Sequence, residues 1–598
     1  MIKKTNSIIS ILWIFVFLGA PGCSSLSIID QLQQEIYFLA SDSLEGRRTG
    51  TVGERRATDF IASEFDRLGI QRAGENETYF QPFYFVASVT LGKNNNFNIS
   101  TEDTTIVLTL NKDFRPFGFS ADTSITAPIA FAGYGISAPD LKYDDYSGID
   151  VKGKIVIVMK DIPNGDQPHS PFTKFGDEKL KIMTAREKGA AGFVLVPSPS
   201  SDESDSLPRL RYDSKFTNVG LPCVQMTRSP VTALFRHLGQ DFPALQKQID
   251  SLKTPQSLFF EKTRATLTTT ITKVTTTARN VVGYLEGNDS RLKDEYIIVG
   301  GHHDHLGWGG EGSLMPDTVA IHPGADDNAS GTAGVLELAR YFAAERKHLR
   351  RSILFATFSG EEEGLLGSAY FVKNPPRPLS NAIAMINLDM IGRMKDSVVL
   401  LGGMGTSDIW KDIVQKFNEP HMLNIKPNND GYGPSDHSSF YGKNMPVLFF
   451  FTSLHKDYHR PSDRADLINY EGEKQILKFV ARIIDTLAVM PARPQFIAVQ
   501  SSSTQETPTY KVTLGVIPDF SESEIGFKIT GVRPDGPAAK AGLKGGDIII
   551  KLGGKAIKNI YDYTFLLGEF KTGDETEVVV KRNGEEKIFK VRFEKRKN

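Results

Sequence analysis

Between Gly53 and Gly69 the apolar positions Ala57, Phe60, Ile61, Phe65 and Leu68 recur at helical spacing and stop at a glycine, which predicts an amphipathic helix with one buried face. From about Ile125 the pattern changes to short β-rich runs at 154–159 and 192–196, separated by a helical pattern at 180–188, so a small β-rich domain is expected there. Between about 280 and 490 strand and helix patterns alternate. The runs at 296–299, 353–358 and 383–388 are apolar throughout, as buried strands are, and Val335, Leu338, Ala339 and Phe342 mark the face of an intervening helix. The fold class expected is α/β, a mostly parallel central sheet flanked by helices. Residues 491–508, rich in Ser, Thr, Gln and Pro, have little to bury and read as a linker. A last β-rich domain is expected beyond them.

At 598 residues the chain exceeds what one core can hold, so three or four domains are expected. A formal net charge of -1 gives no electrostatic reason to expect nucleic acid as a partner. Lys3 and Lys4 precede an apolar run from Ile8 to Ala20 that is too short to span a bilayer but suits a signal peptide, so the chain is expected to be exported. Ala20-Pro21-Gly22-Cys23 resembles a bacterial lipobox, which implies a lipoprotein of the periplasm or outer membrane, anchored at Cys23 and touching membrane only there. Cys223 is then alone and, in an apolar strand-like stretch, reads as a buried small hydrophobe.

Nine of the 11 histidines lie between His302 and His459, a concentration that argues for a site. His302-His303-Asp304 follows one expected strand, Glu361-Glu362-Glu363 follows a second and Asp389 closes a third, while Asp326-Asp327-Asn328 precedes the helix. Each group alone reads equally well as a cap, a turn or a polar loop. Their coincidence at successive strand ends, where ligands of open α/β sheets bind, points to a metal site. Imidazole together with carboxylate favours zinc over magnesium or calcium. Period-2 alternation turns His302 and His303 to opposite sides, so only one faces the metals. His303, His305, His322 and His455 are assigned to polar loops.

His302-x-Asp304, Gly324-Ala325-Asp326-Asp327-Asn328-x-Ser330-Gly331, Glu361-Glu362-x-Gly364, Leu388-Asp389 and Tyr458-His459, in that order and spacing, resemble the motifs of the aminopeptidase Y-type zinc peptidases, as does Leu44-Glu45-Gly46-Arg47-Arg48. The resemblance implies two zinc ions per chain. Asp327 would bridge them, with His302 and Asp389 on one and Glu362 and His459 on the other. Spacing alone would permit Asp326 in place of Asp327. The resemblance further implies a water bridging the ions, Glu361 as general base, Asp304 orienting His302, Asp463 orienting His459, and Tyr432 donating to the tetrahedral oxyanion. The reaction implied is release of N-terminal residues from peptide substrates outside the cytoplasm. A carboxypeptidase, a glutaminyl cyclase or a non-catalytic receptor on the same fold is the alternative.

Gly133-Tyr134-Gly135, the stretch 146–154 and Ala185-x4-Ala190-Ala191-Gly192 resemble a protease-associated domain. Leu514-Gly515-Val516 and Gly536-Pro537-Ala538-Ala539-x-Ala541-Gly542-Leu543 resemble a PDZ domain, which implies binding of a peptide or protein C-terminus. The division expected is signal peptide and lipobox 1–23, first peptidase part 27–118, protease-associated insert 119–265, metal-binding part 270–490, linker 491–508 and PDZ domain 509–598.

Overall fold

The computed structural model describes residues 26–598 apart from 166–169, 202, 203, 214, 215, 217, 311, 316, 317, 420–422, 500–511, 519–524, 533–535, 558, 559, 568, 569 and 596–598. The signal peptide and lipobox expected at 1–23 lie outside the described residues.

Four parallel strands form the centre of a nine-stranded sheet, in the order Ser352–Phe358, Tyr296–His302, Ala382–Leu388, Val447–Phe451. Antiparallel neighbours extend it on both sides, Ile271–Leu285 beside Ser352–Phe358 and Val398–Gly402 beside Val447–Phe451. The sheet is therefore mixed, with its parallel part at the site. The apolar runs are continuous because both faces are covered: Ile297 and Val299 point to one layer with Leu336, Phe342 and Ile484, whereas Ile298 points to the other with Phe371 and Phe440. Each such buried side chain contributes about 1.5–3 kcal/mol. The helix expected near 53–69 runs Val52–Arg67, capped by Thr51, and buries Ala57, Ile61 and Phe65.

Parallel register brings His302 opposite Phe358, so the carboxyl ends of adjacent strands open at one edge. Small residues let the loops there close up. A Cβ on Gly301 would lie 2.5 Å from the Leu388 carbonyl oxygen, and one on Gly331 2.3 Å from the same atom.

A second, eight-stranded sheet holds the β-rich insert. The strands Asn96–Ser100, Thr105–Leu108 and Phe114–Pro116 belong to it, although 27–118 was expected to go with the first domain. Asn96–Ser100 pairs with Leu258–Thr269 over five positions, and this non-local pairing leaves no mark in a short alternating run. Cys223 is fully buried in the strand Cys223–Met226, and burial raises its thiol pKa. In the C-terminal β-rich domain, Pro537 opens the helix Pro537–Ala541 and Gly542, at φ 92°, closes it, as the Gly-Pro and Ala-Gly punctuation requires.

The stretch read as a linker from 491 begins as part of the domain built on the nine-stranded sheet. Arg493 bonds Glu295 at 2.8 Å, Phe496 pairs with Ser407, and the Ile497 N–H donates to the Thr406 carbonyl at 2.9 Å. Phe496, packed against the buried cluster that includes Tyr441, supplies apolar surface that a count of polar residues over the whole stretch overlooks.

Candidate metal centre

His302 ends its strand, fully buried, and Nε2 stands 3.4 Å from Asp327 Oδ1 and 3.4 Å from Asp389 Oδ1. The other Asp327 oxygen faces His459, whose Nε2 is 3.2 Å from Asp327 Oδ2 and 3.2 Å from Glu362 Oε2. Two pockets of nitrogen and oxygen donors thus share Asp327. Donors about 2.0–2.1 Å from a tetrahedral zinc ion lie roughly 3.3 Å from each other. The four spacings match that separation and are longer than charge-assisted hydrogen bonds. Asp389 Oδ1, buried, has no hydrogen-bond partner. The residues fit a pair of zinc ions.

The structure separates the adjacent acids. Asp326 turns away from the pockets, accepting the Gly392 N–H at 2.7 Å and the Ser330 hydroxyl at 3.1 Å, with His455 Nε2 3.2 Å away. His303 also turns away, its Nδ1 3.0 Å from the Thr357 hydroxyl, as alternation predicts. Glu361 Oε2 lies 4.0 Å from His302 Nε2, beside the donors but beyond their mutual spacing. Burial raises the Glu361 carboxyl pKa well above its ordinary range, His302 opposing and Asp389 and Glu362 reinforcing. Against burial and the Asp327 charge, hydrogen bonds from His305 and His459 hold Glu362 down at about 2.

His305 departs from its expected polar-loop role. It is near enough to Asp327 and Glu362 to count as an alternative donor, but its Nδ1 is 2.7 Å from Glu362 Oε1. That is a hydrogen bond, so His305 orients the Glu362 carboxylate. The Asp304 carboxylate does not orient His302 as expected. Its oxygens lie 3.7 Å or more from the His302 ring nitrogen, which is closer to the Asp304 carbonyl at 3.2 Å. They accept the backbone N–H groups of Glu361 at 3.1 Å and Glu362 at 3.4 Å and the Thr49 hydroxyl at 2.9 Å. One buried carboxylate therefore holds the turn that presents both glutamates. Asp463 does not orient His459. It accepts the N–H groups of Asp326 at 2.9 Å and Asp327 at 3.1 Å, while His459 Nδ1 donates to the Gly312 carbonyl at 2.7 Å. Tyr432 lies on the loop before the helix His437–Tyr441, its ring edge-on to Tyr441 at 4.6 Å.

Arg47 was quoted in a motif without a role, and its role is visible only in three dimensions. Completely buried, it donates to the carbonyls of His303 at 2.8 Å, Pro323 at 2.7 Å, Gly324 at 2.9 Å and Leu39. It thereby ties the His302–His305 loop to the loop carrying Asp327. Burial lowers its pKa to about 10, opposed by Asp304, Asp327, Asp463 and Glu362, so its charge offsets theirs. Arg47→Met, which leaves those carbonyls unpaired, is expected to lower the unfolding midpoint and weaken zinc binding. Breaking one buried charged network costs about 3–5 kcal/mol. Thermal unfolding of the metal-free and zinc-loaded forms measures both effects, and an unchanged midpoint in both would remove Arg47 from this role.

Residues 280–484 match Peptidase family M28, residues 125–234 the PA domain and residues 511–593 the PDZ domain. A probable zinc metalloprotease of Pyrenophora teres f. teres is 41% identical over 115 residues, which are 19% of this chain and 23% of that protein. The chain thus spans about a quarter of the length of that relative. Leucine aminopeptidase 2 of Trichophyton rubrum is 26% identical over 381 residues, 58% of this chain and 65% of that protein. Among solved structures, the aminopeptidase from Aneurinibacillus sp. strain AM-1 is 23% identical, with a TM-score of 0.46 over 79% of this chain and 96% of that one. The region whose strand ends carry this candidate centre, residues 280–484, is thus similar to Peptidase family M28, in a chain that also carries a PA domain and a PDZ domain.

Proposed function

We propose that the chain is an exported zinc aminopeptidase holding two zinc ions, one between His302, Asp327 and Asp389 and the other between Asp327, Glu362 and His459. The observation that carries this reading is the shared Asp327, with one oxygen toward each pocket at the spacing of zinc ligands. Zinc in such pockets polarises a scissile carbonyl and acidifies water. Glu361, held by Asp304 through its backbone N–H, takes a proton from the attacking water. The water oxygen bonds to the carbonyl carbon, the C–N bond breaks, and Glu361 returns the proton to the leaving amine nitrogen. The Tyr432 hydroxyl donates to the oxyanion formed between those steps. The PDZ domain takes up an extended chain end by strand addition. A lipid on Cys23 holds the protein at a membrane outside the cytoplasm.

The test is release of amino acids from a panel of free and N-acetylated peptides, before and after chelation. Free peptides are expected to be shortened from the N-terminus and acetylated ones spared. Activity should disappear with chelator and return as zinc approaches two per chain. Cleavage of acetylated peptides from the other end would overturn the aminopeptidase assignment.

A further inference from the structure

The stretch 494–499, which continues the domain past 491, lies against the loop that carries Tyr432. The Val499 N–H donates to the Tyr441 hydroxyl at 2.8 Å, and the Phe496 ring lies 5.4 Å from the Tyr441 ring. The same Tyr441 ring is also packed on the loop. A Cβ on Gly431 would stand 2.3 Å from the Tyr441 ring, so only a glycine lets the backbone come this close, and the next residue is Tyr432, edge-on to the same ring. The other end of the loop is tied to the metal centre. Asn387 Nδ2 donates to the Ser435 hydroxyl at 2.8 Å, two residues before Asp389 in the chain, and the Gly433 N–H donates to the Ser438 hydroxyl at 2.8 Å. The strap is itself fixed by the Ile497 bond to Thr406, and Val499 packs where a Cβ on Gly405 would be 3.0 Å from its methyl.

We infer that residues 494–499 are a positioning strap for the Tyr432 loop, so that the segment leading to the PDZ domain is a working part of the peptidase site. The inference deepens the proposed function and rests on it for the role of Tyr432. The chain of contacts is physically continuous, running from Val499 and Phe496 through Tyr441 to Gly431 and Tyr432, and through Ser435 to the strand end at Asp389. Tyr441 and Phe496 are positioning residues, because neither touches the reacting atoms. Displacing a hydroxyl by a fraction of an ångström affects the rate more than substrate binding or metal retention.

The test uses the full chain with Phe496→Ala and Tyr441→Phe, each alone and combined with Tyr432→Phe. Either change is expected to lower kcat about tenfold while KM and zinc content stay the same. In the Tyr432→Phe background neither should lower kcat further, because the strap acts through that hydroxyl. Losses that add to that of Tyr432→Phe, or loss of zinc, would overturn the strap. Tyr441→Phe keeps the ring, so it carries the test if Phe496→Ala fails to fold. Amide hydrogen exchange gives a readout independent of activity. Exchange should rise at 431–435 in both variants with 302–305 unchanged, and unchanged exchange at 431–435 would overturn the strap. A wild-type protein that cleaves no peptide, yet shows the exchange difference, would instead sink the proposed function and leave the strap standing.

Discussion

Glu361→Gln is expected to retain both proposed zinc ions and to lose about 10²–10⁴ in kcat, the usual contribution of a positioned acid–base group. The amide keeps the shape of the carboxylate but accepts no proton from water. Metal retention follows from position, because the Glu361 oxygen nearest the centre is 4.0 Å from His302 Nε2, outside the mutual spacing of the donors. Its neighbour behaves differently. Glu362 lies 3.2 Å from His459 Nε2 and receives the His305 bond, so Glu362→Gln is expected to weaken one zinc site, with excess zinc partly restoring activity. Elemental analysis and steady-state kinetics on the two proteins decide the matter. Near-normal kcat in Glu361→Gln, or loss of its zinc while Glu362→Gln keeps both ions, would reverse the two roles.

Asp327→Ala is expected to empty both pockets and abolish measurable hydrolysis. One carboxylate faces His302 with Oδ1 and His459 with Oδ2, so its removal takes a donor and a negative charge from each site at once. The two imidazoles then face each other across the gap without the anion between them. Each ligand lost from a zinc site costs affinity directly, and changes even in supporting groups cost roughly 10–100-fold. Asp326→Asn is the control. Asp326 holds Gly392 and Ser330 by hydrogen bonds, so this variant should keep two zinc ions and show its effect in thermal stability. Should Asp327→Ala still bind two ions while Asp326→Asn binds none, the bridge would have to be moved to Asp326.

Much of this protein is legible in order along the chain. The continuous apolar runs at 296–299, 353–358 and 383–388 become adjacent strands because a sheet covered on both faces needs apolar residues at every position. The motifs that end them therefore meet at one edge, where open α/β sheets bind ligands. Period-2 alternation correctly turned His303 away from His302, because that rule depends on local backbone geometry alone.

Contacts between segments distant in sequence were not legible. His305 and Asp304 take their partners from the Glu361–Glu362 turn, 57 or 58 residues further on, and no periodicity encodes which oxygen a histidine reaches across that distance. Arg47 donates to carbonyls more than 250 residues away, and backbone carbonyls carry no sequence label at all. Composition misled at 491–499, because the polar average of the whole stretch 491–508 hides an apolar start from which Phe496 and Val499 find partners at Tyr441. The presence of these strands and the residue types at their ends were thus determined by the sequence itself, since they follow from local pattern. Which acid of each adjacent pair faces the pockets, which groups hold the loops, and where the peptidase domain ends were decided only by tertiary structure, because each depends on a partner that folding brings from elsewhere.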